Sequence, residues 1–154
     1  MKEAYKMKNI ETLETYRLKS FLRTPYTFLC VEKVLAERFF NWIKLKIVKL
    51  EGNYYIFGKG SLQPTGCKQS YQVQVIFSPF FGGNRFESIK ILNPKIEFHP
   101  KIHMYHNTSL CLYYPKDHFG HVPLFRSLQW TSEWLVKYEF FKRFGTWIGD
   151  EVKH

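Results

Sequence analysis

Between residues 27 and 46, Leu29, Val31, Val34, Leu35, Phe39, Trp42 and Ile43 recur at close to helical spacing, with no Pro or Gly among them. That spacing predicts an amphipathic helix. From residue 44 to 50 the period drops to two, Lys alternating with Leu, Ile and Val, as in a half-buried strand. Glu51-Gly52-Asn53 then marks a turn. Residues 54–62 are rich in aromatics and end before Pro64, and residues 71–77 alternate cleanly as Tyr-Gln-Val-Gln-Val-Ile-Phe. Both read as strands. A Gly-Gly-Asn turn at 82–84 leads to a further strand over 86–92, carried by Ile89 and Ile91 and closed by Asn93-Pro94.

The pattern dissolves from residue 95 to 123, a Pro- and His-rich stretch of 29 residues. Connections of that length in a compact domain are usually functional. Order returns with Thr131 or Ser132 as a helix cap, Glu133 in the first turn, an apolar stripe of Trp134, Leu135, Tyr138 and Phe141, and Gly145 as the stop. Helix, antiparallel meander, long loop, helix is an α+β order.

At 154 residues, with 45% hydrophobic and 19% aromatic side chains, the chain is expected to fold as one domain. Residues 1–25 read as an N-terminal extension and 26–154 as the domain. No apolar run approaches the roughly 18 residues of a membrane span, and the first residues lack the apolar core of a signal peptide. The cytoplasm is the expected compartment, with no membrane partner. The formal charge of +10 is spread along the chain rather than gathered in a tract. It speeds encounter with any acidic partner and selects none, so an acidic protein fits and specific nucleic-acid binding is not expected.

His99, His103, His106, His118 and His121 fall close together, with Cys111 in their midst. A thiol attacks as thiolate, and histidines or cations such as Lys101 and Lys116 favour that form. On composition alone Cys111 also fits an apolar filler between Leu110 and Leu112. Cys30 and Cys67, with no acid–base set nearby, read as core or surface thiols. With no CxxC, neither a disulfide framework nor a closed zinc site is expected. Neither metal nor cofactor is implied.

Here the order of residues resembles a known family. His103-Met-Tyr-His-Asn-Thr-Ser-Leu-Cys111-Leu-Tyr-Tyr-Pro115 resembles the active-site loop of ubiquitin-conjugating (UBC) enzymes, where a His-Pro-Asn motif precedes the nucleophile. The ungapped match puts His103 in the place of the motif Asn; His99-Pro100-Lys101 fits only with an insertion. Similarity is sharper to the stand-alone conjugating-enzyme-like proteins of short type II CBASS antiphage operons. Trp130-Thr-Ser-Glu-Trp-Leu135, Tyr138-Glu139, Gly145-Thr-Trp147-Ile-Gly149 and Leu62-Gln-Pro64 carry it. Phe119 departs from the Trp usual after the nucleophile.

The resemblance implies a UBC-like fold and a bacterial transferase in which Cys111 holds a protein C-terminus as a thioester and passes it to a lysine. His103 would then donate to the oxyanion, and Asp117 would orient or deprotonate the amine. It also implies a cGAS/DncV-like nucleotidyltransferase as partner and, no adenylating domain fitting in 154 residues, loading from elsewhere. The alternative is an inert interaction module, as in the ubiquitin-conjugating enzyme variants.

Overall fold

The computed structural model describes residues 25–78, 86–113 and 122–149. The 1–25 extension therefore falls outside the described residues except for Pro25, as do the 82–84 turn, Asp117, His118 and His121. Helix α1 (Pro25–Phe39) is followed by strands β1 (Ile43–Leu50), β2 (Asn53–Leu62), β3 (Tyr71–Ser78) and β4 (Phe86–Asn93), and by helix α2 (Leu124–Phe144). The strands form an antiparallel sheet in the order β1-β2-β3-β4. This is the α+β arrangement read from the sequence, with a helix before the four-stranded meander and one after it.

Alternation decides which sheet face is buried. Across the ladder, Leu45, Gly58, Val75 and Ile89 share one row, and Ile43, Gly60, Val73 and Ile91 share the next. These rows belong to the inner face, where Val73, Val75 and Phe77 are fully buried. Phe28, Leu29, Val31, Leu35 and Ala36 of α1 and Leu124, Leu128, Trp134 and Leu135 of α2 join them in one core. Burying a side chain of this size stabilises by about 1.5–3 kcal/mol, which outweighs helix propensity in fixing both helices. Gly60 matters for fit: a side chain there would collide with the backbone of Trp42 and Ile43, so β1 lies close because Gly60 has none. Glu51 and Gly52, both at positive φ, close a two-residue hairpin turn.

Two boundaries differ from the sequence expectation. Helix α1 stops at Phe39 rather than near residue 46, because residues 43–46 pair with 57–60 of β2. Trp42 and Ile43 mimic the helical period by chance, and the ladder takes precedence. Helix α2 begins at Leu124, seven residues before Thr131. Its first-turn amide is satisfied from far away: the buried Glu32 carboxylate of α1 accepts the Leu124 N–H at 2.9 Å. A cap supplied by a distant carboxylate leaves no local signature, and an anion there also suits the helix dipole. Thr131 sits inside the helix, donating to the Ser127 carbonyl at 2.8 Å. The stop was legible: Gly145 is left-handed, and its N–H donates to the Phe141 carbonyl at 2.7 Å. No helix among the described residues is long and apolar enough to cross a membrane.

Candidate active site

The described part of the long connection between β4 and α2 contains one ordered device, a hairpin over residues 103–111. Tyr105 N–H donates to Ser109 O and Thr108 N–H to Tyr105 O, each at 2.9 Å, and Cys111 N–H donates to His103 O at 2.9 Å. Asn107 Oδ1 accepts both the Ser109 N–H at 3.0 Å and the Ser109 hydroxyl at 2.6 Å. Met104 and Leu110 form the bridge between the two arms and are buried in the core. Leu110 N–H donates to Ile89 O at 2.8 Å, which ties the hairpin to β4.

From α2, Trp134 Nε1–H donates to the carbonyls of Ile102 at 2.9 Å and His103 at 3.2 Å. The residue eight before Cys111 is thus held by its own backbone. His103 carries φ 53, a left-handed conformation that Asn, Asp and His adopt more readily than other side chains. Its ring is half-buried, 5.2 Å from that of Trp147.

His103 and Cys111 meet at a cavity of about 150 Å³, which Trp130, Glu133, Trp134 and Lys137 of α2 and Trp147 beyond it help to line. Cys111 itself is 2% exposed. Burial pushes its thiol up, and a hydrogen bond with the Tyr105 side chain acts in the opposite direction. Burial, reinforced by the contact with Cys111, likewise pushes the Tyr105 phenol up, so it remains protonated and able to donate. The Cys111 thiol in turn lies 3.8 Å from the Tyr113 carbonyl, a long sulfur donor contact.

Lys116, His118 and His121, three of the neighbours expected to activate the thiol, lie outside the described residues; burial is the larger influence on Cys111 and the Tyr105 contact acts against it. His99 Nδ1 accepts the Lys101 N–H at 3.0 Å, and its ring lies 5.2 Å from Phe141. His106 stacks on Phe98 at 4.4 Å. Of the histidines described, His103 alone lines the cavity with Cys111. No group of three or more His, Cys, Asp or Glu among the described residues could hold a metal ion.

Tyr105, Glu133 and Lys137 were not foreseen. The last two had a signal, since 130, 133, 134 and 137 share a helical face, but it becomes readable only when α2 begins before Trp130. Trp130, Trp134 and Trp147, which belong to the motifs that carry the resemblance, form walls of the cavity. Cys67 is occupied elsewhere, pushed up to about 12 by burial and then by the hydrogen bond and charge of Glu139.

Residues 32–154 match the family model of the type II CBASS E2 protein, a stretch holding all four strands, the Cys111 hairpin and α2. No match emerged among curated proteins or solved structures. The chain belongs to the type II CBASS E2 family, and its role accordingly lies in CBASS antiphage defence.

Proposed function

We propose that Cys111 accepts the C-terminal carboxyl of a donor protein as a thioester and passes it to a target lysine. The observation that carries this reading is the placement of Cys111: it ends a hairpin tied to β4 and to α2, at a cavity shared with His103, in a member of an E2 family. In the first step the Cys111 thiolate attacks a carbonyl already activated on another protein, and that leaving group departs with the electron pair. In the second, a neutral lysine amine attacks the thioester, the C–S bond breaks, and Cys111 leaves as thiolate while the nitrogen loses a proton.

Each step passes through a tetrahedral oxyanion, which one well-placed donor stabilises by about 3 kcal/mol. The His103 ring is a candidate donor from the cavity wall and the Tyr105 hydroxyl one from the hairpin. Asp117 is assigned the amine-orienting role by its match to the family pattern. The donor or partner is a CBASS component, and a cGAS/DncV-like nucleotidyltransferase is the one we assign.

One specific observation favours the alternative, an inert binding module: a thiol 2% exposed and pushed up by burial is what such a module would contain. Both readings are separated in cells carrying the whole CBASS operon with a tagged nucleotidyltransferase. Cys111→Ser should accumulate an oxyester that resists thiols and is cleaved by alkali, and Cys111→Ala should give no conjugates. Conjugates persisting at wild-type levels in the Ala variant would overturn the assignment.

A further inference from the structure

On another flank of α2 a larger groove, about 630 Å³, runs between the C-terminal half of the helix and the loop joining β2 to β3. Its lining is partly apolar and open to solvent. Phe140 and Phe144 lie with ring centroids 4.5 Å apart, Phe144 is 58% exposed and Ile148 is 44% exposed. Large apolar side chains gathered at an exposed concave surface mark a site for another chain.

The remaining lining is cationic, with Lys68, Lys142 and Arg143. The Arg143 guanidinium lies over the Phe144 ring at 5.2 Å and the Lys142 ammonium over the Tyr138 ring at 5.5 Å; the charge of Lys142 also acts on Glu139, but against three cations that single carboxylate leaves the lining net positive. Glu139, the carboxylate lining the groove, is committed elsewhere: it accepts the Lys68 N–H at 2.9 and 3.2 Å and the Tyr71 hydroxyl at 3.0 Å. A groove with apolar contacts and spare positive charge complements an acidic chain bearing bulky apolar side chains.

Its position relates it to Cys111. At about 100° per residue, the stripe 136, 139, 140, 143 is centred roughly 120° around α2 from the stripe 130, 133, 134, 137. The segment after the helix separates the two sites, Trp147 lining the Cys111 cavity and Ile148 the groove. We propose that the groove binds an acidic, apolar segment in the tail of the donor protein, upstream of the carboxyl end that Cys111 receives. This rests on the reading of Cys111 as the acyl acceptor, and it names the chemistry of that donor.

The test is fluorescence polarisation with the full chain and short labelled peptides of equal length. One is built from Glu, Asp, Phe and Leu; a second replaces the acids by Lys and Arg; a third replaces Phe and Leu by Ser; a labelled oligo-dT is the fourth probe. The first peptide should bind at least about tenfold tighter than the other two and the oligonucleotide, a difference of about 1.4 kcal/mol. Phe144→Ser, and separately the pair Lys142→Glu with Arg143→Glu, should each weaken it about tenfold while circular dichroism stays that of wild type. Equal binding of all peptides, tighter binding of oligo-dT, or unchanged affinity in both groove variants would overturn the proposal. Cys111→Ala should bind the first peptide as wild type does. Loss of conjugates in that variant without selective peptide binding defeats the groove alone, and peptide binding with conjugates intact defeats the Cys111 assignment alone.

Discussion

Trp134→Phe tests whether α2 holds the Cys111 hairpin in place. The substitution keeps a ring in the core but removes the Nε1–H that reaches both Ile102 O and His103 O. Cys111 N–H still donates to His103 O, so that carbonyl keeps a partner, whereas Ile102 O is left with no donor among the described residues. A buried acceptor stripped of its donor costs about 1–3 kcal/mol. The smaller ring leaves a space of roughly 40 Å³, which at about 24 cal/mol per Å³ adds about 1 kcal/mol.

The sum, about 2–4 kcal/mol, corresponds for a domain of this size to a fall in Tm of roughly 4–16 °C. Scanning calorimetry reads the stability, and iodoacetamide alkylation of Cys111 followed by mass spectrometry reads the hairpin. With the clamp gone, local opening becomes cheaper and Cys111 should alkylate several-fold faster well below Tm. A Tm within about 3 °C of wild type with unchanged alkylation would show that Trp134 fills space beside the hairpin without holding it.

Three further outcomes are expected. His103→Asn should stay within about 0.5 kcal/mol of wild type in urea unfolding, whereas His103→Val should cost about 2 kcal/mol, because a β-branched residue resists φ 53; equal stabilities would remove backbone conformation as the reason for His at this place. Ser127→Ala should stabilise by about 0.5–1.5 kcal/mol in the same assay, since the buried Ser127 hydroxyl has no partner among the described residues and Ala suits a helix interior better. Burial opposes ionisation of Glu139, but the Lys68 N–H, the Cys67 and Tyr71 side chains and the charge of Lys142 together hold its carboxyl below the usual range. Its folded value lies below the unfolded one of about 4.3, so its contribution is present above that pH and lost as pH falls through the folded value; Glu139→Gln should flatten the acid limb of Tm against pH.

The strands were legible because each is half-buried, so the inward row of β3 reads directly from Tyr71, Val73, Val75 and Phe77, and Gly145 announced the end of α2 by local backbone chemistry. The start of α2 was not, because its cap is Glu32, 92 residues earlier in the chain. The site divided in the same way. Cys111 and His103 stand out by type and spacing within one segment, and the hairpin brings them to one cavity. Tyr105 was passed over because its value lies in a contact across the hairpin, and Glu133 and Lys137 because they approach Cys111 only through the packing of α2.

That packing bears on the proposal that the buried Cys111 sulfur is an acyl acceptor. Two influences on Cys111 oppose one another: burial disfavours the thiolate, and the Tyr105 contact favours it. Exposure by simple unfolding of the hairpin would sacrifice both the Tyr105 contact and the core contacts of Met104 and Leu110, which are 7% and 5% exposed. The wall formed by Trp147 is the cheaper one to displace, since it comes from the irregular segment beyond Gly145 and touches His103, Trp134 and Phe141 through rings 5.2–6.5 Å apart rather than through backbone hydrogen bonds. A donor tail lying in the groove beside Ile148 would press on that same segment. If Cys111 is the acyl acceptor and the groove holds the donor tail, as proposed, binding energy gained in the groove would be available to displace Trp147, and Cys111 would become accessible with the donor in place.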